Sequence, residues 1–200
     1  ADCNDIACGV LVGKLFRADK VLVGSIRNTS VFGVDGETQG FQMDVRLVDV
    51  LTNVLLNHVI VGEVQSSSLT NGYASTQAIS AASDTNMSIY INTDNGVMFN
   101  GVSTVTTADV VASNGVVHIV DAVIGLPTVV TFAVADPNFG VLVQALTRPD
   151  LTQSFVGLLS IPAGSAPSPF TVFAPVNSAF ENLLTELGAD DLSDIDEPTL

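Results

Sequence analysis

Residues 114–124 read NGVVHIVDAVI, and residues 169–180 read PFTVFAPVNSAF. Each stretch is a short, β-prone apolar run bounded by Asn, Gly or Pro. This pattern predicts a strand over residues 116–124 and a short buried strand over residues 170–174. The chain therefore contains at least two apolar strands that are well separated in sequence.

The rest of the chain predicts a mixture of strands and helices. Many Val, Ile and Thr residues with no Trp favour strands. Further strands are predicted at residues 10–12, 21–23, 29–32, 59–61, 87–91, 97–100 and 104–111, with a hairpin turn at Asp94-Asn95-Gly96. In the first 46 residues, glycines are expected at turns or bulges: Gly9, Gly13, Gly24, Gly33, Gly36 and Gly40.

Three helices are predicted. Residues 47–58 carry apolar residues and a histidine at helical spacing, namely Leu47, Val50, Leu51, Val54, Leu55 and His58. Asp136 followed by Pro137 indicates a second helix start. Asn177 can cap a third helix through Leu187, and Gly188 is expected to end it.

Composition limits the possible partners. The chain is 47% hydrophobic and 14% charged, which supports a sizeable core, and its net charge is −15. Such an acidic surface is a poor partner for nucleic acid or anionic membrane. No apolar run is long enough to predict a transmembrane helix. Most of the basic residues lie in the first 46 positions, so this segment and the acidic remainder could attract each other. Solvated charge on strand edges is the simpler alternative.

The only cysteines, Cys3 and Cys8, are close enough in sequence for a small disulfide loop, and two free thiols are the alternative. The segment beginning at Ala1 resembles a mature N-terminus rather than a signal peptide. Asn28 and Asn86 each begin a formal glycosylation sequon. These features favour an extracellular protein.

The sequence predicts no catalytic, cofactor or metal site. His58 and His118 are expected to be core residues with satisfied hydrogen bonds rather than ligands or bases. Neither a nucleophile elbow nor a phosphate-binding glycine loop occurs. The acidic run at residues 190–197 lacks the glycine that a calcium loop needs at its turn. Solvated, helix-capping carboxylates are the preferred interpretation of that run.

The two opening stretches closely resemble the signature segments of the fasciclin (FAS1) family. In that family the segment like 171–180 opens the domain and the segment like 114–121 closes it, whereas this chain has the reverse order. His58 resembles the family's histidine at the end of a leucine-rich helix, where Asn57 replaces a tyrosine. The residues that carry the resemblance are Thr171, Val172, Phe173, Ala174, Pro175, Asn177, Phe180, Asn114, Gly115, Val116, Val117, His118, Asp121 and His58.

The resemblance implies an α+β fold, a fasciclin-like β-sandwich or wedge with several helices, together with a β-rich N-terminal segment. It also implies that residues 170–180 pack beside residues 116–119 as adjacent buried strands. Residues 1–46 would form the N-terminal segment, residues 47–129 the back part of a domain, and residues 130–200 the front part. The chain would then be a slice of a bacterial tandem array, a circular permutant, or a unit completed by its neighbours.

These features predict a secreted, non-enzymatic adhesion or matrix protein that acts by protein–protein association. Partners would be other copies or other surface proteins, and exchange of half-domains would build filaments, for example in a biofilm. A single-domain module for glycans or small ligands is the alternative, disfavoured by the lack of Trp and by only two Tyr. An enzyme with a hidden acidic site is the third class.

Overall fold

The computed structural model describes the backbone of residues 20–33 and 36–195 and the side chains of residues 50–195. These residues form an α+β structure with a two-stranded sheet, a five-stranded sheet and several short helices. The predicted α+β class is therefore confirmed. Cys3, Cys8 and the strand predicted at residues 10–12 lie outside the described residues.

A two-stranded antiparallel ribbon precedes the larger sheet. Its strands are β1 (Lys20–Gly33) and β2 (Gly36–Asp49), which pair in a ladder without a register shift. The strands predicted at 21–23 and 29–32 both lie within β1. The expectation that Gly24 and Gly40 mark turns or bulges is wrong, because both lie inside this continuous ladder.

The larger sheet is an antiparallel meander in which each strand pairs with the next along the chain. Among the described strands, its two edges are the first and the last. The predicted hairpin around Asp94-Asn95-Gly96 is confirmed. The first strand of the sheet was not predicted from the sequence. The last strand ends at Val120, whereas the predicted strand extended to residue 124. The strands are β3 (Gly72–Ile79), β4 (Asn86–Asn92), β5 (Met98–Phe99), β6 (Ser103–Ala112) and β7 (Gly115–Val120).

Among the described residues, five short α-helices accompany the sheets. They are α1 (Val50–Leu56), α2 (Val129–Ala135), α3 (Gly140–Leu146), α4 (Phe155–Leu159) and α5 (Asn177–Leu187). Single 3₁₀ turns occur at Ser66–Ser68, Pro137–Phe139 and Leu192–Asp194. The helices α2 and α4 were not predicted from the sequence.

The predicted helix over residues 47–58 is wrong in its bounds and in its buried face. Residues 47–49 belong to β2, and the helix ends at Leu56, before His58. Leu51 and Leu55 are exposed, whereas Asn53 is buried. The apolar periodicity therefore identified a helix whose polar side chains face the interior.

Two predicted strands are absent from the described structure. Residues 59–61 form an irregular segment, although the Val59 carbonyl accepts a hydrogen bond from the Gln77 amide. Residues 170–174 have no regular secondary structure, and Phe173 is 92% exposed. The prediction of a short buried strand at 170–174, packed beside residues 116–119, is therefore wrong for a single copy of the chain.

The helix ends follow local capping chemistry. Asp136 caps the turn that leads into α3 by accepting the Asn138 amide, as the sequence predicted. Gly188 ends α5 in the left-handed conformation at φ 67°, also as predicted. Asn177 does not cap its own helix, and its Oδ1 instead accepts the Val141 amide near the start of α3. The side chain of Asn177 therefore joins two helices.

Within residues 50–195, the buried apolar residues form two separate clusters. One lies on the larger sheet and consists of Ile89, Ile91, Phe99 and Ile124. The other lies among the helices and consists of Leu142, Ala145 and Phe180. Phe180 was predicted to pack near β7, and its buried partners are in fact those of the helical cluster.

Tyr73 of β3 connects the sheet to the helices. Its hydroxyl donates to Asp136 Oδ2 at 3.0 Å, and its ring meets Phe132 of α2 edge-on with centroids 5.4 Å apart. Burial and the bond to Asp136 both raise the pKa of Tyr73. Gly101 lies against the same helix end, since a Cβ there would meet Ala135 at 3.3 Å.

Within the described residues, no single helix is long and apolar enough to cross a membrane. The segments Val129–Ala135 and Pro137–Leu146 reach the required length and composition only as a pair, and they are bent by 96° at the break.

Candidate interaction surface

A cavity of about 310 Å³ opens beside the larger sheet. Its walls include the end of α1, the irregular segment at residues 59–64 and the face of β7. The core residues Ile89, Phe99 and Ile124 also line it. The apolar core of the sheet is therefore accessible from this side.

Two buried asparagines, one in α1 and one just after it, attach this part of the chain to β3 and to the segment after β7. Asn53 makes two hydrogen bonds with the backbone of Ile79, donating at 2.9 Å and accepting at 3.0 Å. Asn57 is completely buried, donates to the Gly125 carbonyl at 2.9 Å and accepts the Thr76 hydroxyl at 3.1 Å. Because buried amides are stable only when their hydrogen bonds are made, these contacts explain why Asn rather than Leu faces inward.

His58 joins α1 to the segment that follows β7. Its Nδ1 lies 2.8 Å from the Val54 carbonyl oxygen, and its Nε2 accepts the Ile124 amide at 2.9 Å. A carbonyl oxygen can only accept, so the network assigns the proton to Nδ1. The prediction that this histidine has satisfied hydrogen bonds is confirmed, but its expected core position is wrong because the residue is exposed.

His118 of β7 has the opposite arrangement. Its Nε2 lies 2.9 Å from the Val64 carbonyl oxygen, so Nε2 carries the proton. Its Nδ1 accepts the Asp109 amide at 3.3 Å and also lies 3.9 Å from Asp109 Oδ1. His118 therefore attaches the irregular segment that precedes the 3₁₀ turn Ser66–Ser68 to the sheet.

Asp109 occupies an irregular position in β6, between register shifts, with φ 59°. Its carboxylate accepts both the amide and the hydroxyl of Ser66, at 2.8 and 2.5 Å. The bonds from the hydroxyl and the amide of Ser66 are the main cause that lowers the pKa of Asp109. The Ser66 hydroxyl contacts the carboxylate rather than the imidazole, so these three residues do not form a serine nucleophile activated by histidine.

Exposed aliphatic residues occur on the elements that form the cavity, and two of them, Val59 and Val117, line it. On β7, Val117 and Ile119 are each about half exposed, at 52% and 49%. Exposed residues of α1 and of the segments that follow α1 and β7 are Leu51, Leu55, Val59, Val61 and Val123. We call this set, together with β7, the acceptor surface. Contiguous exposed apolar patches commonly mark interaction sites.

A second exposed apolar feature lies in residues 170–176, which we call the donor segment. Val172, Phe173 and Val176 are all exposed, and no strand forms there. Ala174 packs against the helical cluster. The donor segment leads directly into α5, whose first residue, Asn177, is fixed by its bonds to α3 and to the Pro137 carbonyl.

A separate apolar cavity of about 370 Å³ lies among the helices. Residues of α2, α3 and α4 line it, together with Val172 and Ala174 of the donor segment. The helical half of the chain therefore also has an incompletely filled interior.

The acidic run behaves as a capping sequence in its described part. Asp191 accepts the Ser193 amide, and Asp194 accepts the amides of Asp190 and Asp191. Bonds from Ser193 lower the pKa of Asp191. Across residues 50–195, no three His, Cys, Asp or Glu side chains are grouped as a metal site would require.

The residues that carry the family resemblance fall into two groups in the structure. His58, Val116, Val117 and His118 line the first cavity. Asp121 is adjacent and accepts the Thr104 amide, whereas Asn114 and Gly115 lie at the turn into β7. The remaining motif residues, Thr171, Val172, Phe173, Ala174, Pro175, Asn177 and Phe180, belong to the donor segment and α5.

The sequence did not predict the structural roles of Asn53, Asn57 and Asp109. It also did not predict that Asn57 would be buried. Nothing in the local pattern distinguishes Asn53 and Asn57 from solvent-facing helical residues. The left-handed backbone of Asp109 is an uncommon conformation that Asp tolerates better than most residues, but its sequence neighbours Ala108 and Val110 give no turn signal. Only the tertiary contacts reveal these three positions.

Residues 39–127 match the family model described as Fasciclin domain. The comparison with curated proteins returned no match. The comparison with solved structures also returned none.

The match to this family model carries general expectations of function. Fasciclin domains are non-enzymatic adhesion modules that are generally linked to cell adhesion or the extracellular matrix, and they are typically found outside the cell or at its surface. The matched region includes α1, the whole larger sheet and both histidines. The donor segment and the helical cluster lie beyond it.

Proposed function

We propose that this chain is a secreted or cell-surface adhesion module whose copies associate by completing one another's fasciclin fold. The observation that carries the proposal is that the two signature segments lie on separate, open apolar surfaces of one chain. In the family these segments are neighbours, as their resemblance implies. A contact between the donor segment of one copy and the acceptor surface of another would bring them together.

The acceptor surface has the properties that strand addition requires. β7 is an edge strand of the described sheet, and edge strands present main-chain donors and acceptors to an incoming strand. Val117 and Ile119 would supply side-chain contacts along it. The cavity beneath offers space for apolar side chains.

The donor segment has matching properties. Thr171, Val172 and Phe173 are β-prone residues in a stretch with no secondary structure of its own. Burial of one exposed phenylalanine side chain contributes about 2–3 kcal/mol, so Phe173 is the expected anchor. Pro175 lies at the end of the segment, where its missing amide does not interrupt pairing.

Donor and acceptor are different surfaces, so the contact is head-to-tail. Such a contact builds open filaments unless the rotation between copies closes a ring. Net charge of −15 opposes association at low ionic strength. We therefore expect assembly to strengthen as salt screens this repulsion. Closure within one chain, as in a circular permutant, is the competing arrangement.

The test uses two variants that each disable one surface. Phe173→Asp removes the donor anchor, and Ile119→Asp places a charge on the acceptor strand. Each variant alone should be a monomer in sedimentation velocity. An equimolar mixture should form dimers but no longer species, because one functional donor and one functional acceptor remain.

Val102→Asp is the matched control, since Val102 is an exposed valine in the turn before β6, away from both surfaces. This variant should assemble like the unmodified chain. If the mixture of Phe173→Asp and Ile119→Asp stays monomeric while the Val102→Asp control assembles, the proposed contact is incorrect.

A second candidate is binding of a small apolar ligand, which the helical cavity favours. Its volume of about 370 Å³ falls within the range of small-molecule sites. Calorimetric titration with medium-chain fatty acids or aromatic probes would test it. Saturable binding that Ala133→Trp abolishes would support this candidate, and heat of dilution alone would exclude it for those probes.

A further inference from the structure

We propose that His58 is an acid-sensitive latch, whose protonation releases the segment 121–125 from α1. The inference rests on the hydrogen bonds of a single copy and is independent of self-association. It concerns the wall of the first cavity, because both His58 and Ile124 line that cavity.

The latch depends on a neutral imidazole. Nδ1–H donates to the Val54 carbonyl, and the lone pair of Nε2 accepts the Ile124 amide at 2.9 Å. When Nε2 takes up a proton, two N–H groups point at each other and this bond is lost. Ile124 is only 5% exposed, so its amide is left without an acceptor in a mainly apolar environment.

Surrounding charges do not compensate for this loss. Among the described residues, no carboxylate lies within ion-pair distance of His58. Asp121, on the released segment, accepts the Thr104 amide at 2.7 Å. Glu63, on the adjoining loop, accepts from the Gln65 side chain. The other titratable group at the cavity is His118 of β7.

His118 provides a contrast within the same cavity. Protonation at its Nδ1 also displaces a backbone amide, but that bond is longer, at 3.3 Å. Asp109 Oδ1 lies 3.9 Å away and gains attraction when the imidazole becomes charged. Acid therefore exchanges one contact for another at His118, whereas at His58 it only removes one.

The released segment would not be wholly free. The Asn57 side chain still donates to the Gly125 carbonyl, at 2.9 Å. Protonation therefore loosens one of two connections between the end of α1 and residues 124–125. We expect local opening at Ile124 rather than global unfolding.

Imidazole side chains exchange their proton between about pH 5 and pH 8, so the range of the test is set by that chemistry. Nitrogen NMR of the full chain at the alkaline end should show His58 with the proton on Nδ1 and His118 with the proton on Nε2. Hydrogen exchange then follows the protection factor of the Ile124 amide as the solution is acidified. Loss of one buried hydrogen bond predicts a fall in protection of about tenfold or more.

Two variants make the assignment specific. His58→Gln should give Ile124 protection that no longer depends on pH across this range, and His118→Gln should retain the dependence. The amide of Val105, bonded to the Val97 carbonyl, serves as an internal reference. The proposal is overturned if Ile124 protection in the unmodified chain does not change with acid, or changes equally in His58→Gln. If His58→Gln does not fold, a proton on Nε2 of His58 in the unmodified chain overturns it equally.

Discussion

Replacement of Asn57 by alanine tests the conclusion that buried polar contacts, rather than leucines, hold α1 in place. The Asn57 side chain is completely buried and takes part in three hydrogen bonds: to the Gly125 carbonyl at 2.9 Å, to the Ile124 carbonyl at 3.4 Å, and from the Thr76 hydroxyl at 3.1 Å. A typical hydrogen bond contributes about 1 kcal/mol net, and a group left unsatisfied costs about 1–3 kcal/mol.

The expected loss for Asn57→Ala is therefore about 2–4 kcal/mol of unfolding free energy. This loss is smaller than the cost of leaving three buried groups without hydrogen bonds. The Thr76 hydroxyl has a second acceptor in the Met87 carbonyl, and Gly125 is exposed, so that water can reach its carbonyl. For a chain of this size the change corresponds to a fall in Tm of about 4–16 °C.

Urea unfolding followed by far-ultraviolet circular dichroism measures the effect, with Asn95→Ala as the matched control. Asn95 is an exposed asparagine in the hairpin turn and should change stability by less than about 0.5 kcal/mol. Leu55 lies on the exposed face of α1. In a monomeric sample, Leu55→Ala should therefore lower the free energy of unfolding by less than Asn57→Ala does. A loss below about 1 kcal/mol for Asn57→Ala, at an unchanged denaturant slope, would refute the reasoning.

Three further predictions concern caps and charge. Asp136→Ala removes the acceptor for the Asn138 amide and for the Tyr73 hydroxyl and should cost about 2–4 kcal/mol in urea unfolding. Gly188→Ala should cost about 1 kcal/mol in the same assay, because alanine is strained at φ 67°. Ser66→Ala should move the pKa of Asp109 up towards its ordinary range in a carboxyl NMR titration, since bonds from Ser66 are the main cause of its lowering. The stability that Asp109 contributes is present above its ordinary pKa and is lost as pH falls through the lowered one, so Ser66→Ala should weaken the acid dependence of unfolding. An unchanged titration would contradict this assignment.

Local signals predicted the elements whose formation depends on neighbouring residues. The turn at Asp94-Asn95-Gly96, the capped start at Asp136-Pro137 and the glycine stop at Gly188 all occur as expected. In each case the backbone geometry is determined by residues within a few positions, so no distant partner is needed.

Elements that depend on distant partners were predicted poorly. Residues 47–49 have helical periodicity, but they pair with the start of β1 and therefore join β2. β3 was missed because its fully buried residues are Thr76 and Ala78 rather than large aliphatic side chains. A strand was expected at residues 170–174, yet strand propensity alone forms no ladder when the partner edge is elsewhere.

The candidate surface was predictable only in part. The signature segments identify β7 and residues 170–176 as important, and both prove to carry exposed apolar side chains. Their exposure could not be inferred, because the resemblance implied that they bury each other. The roles of Asn57 and Asp109 depend on contacts across 19 to 68 positions in sequence, which no local pattern records.

The central claim is that the donor segment of one copy completes the acceptor surface of another. Mass measured by light scattering across a dilution series, with electron microscopy of the same samples, tests it most directly. The account predicts large, regular, elongated particles whose mass rises with concentration and with salt. A compact particle of 20.7 kDa at every concentration would contradict it and would favour closure within one chain.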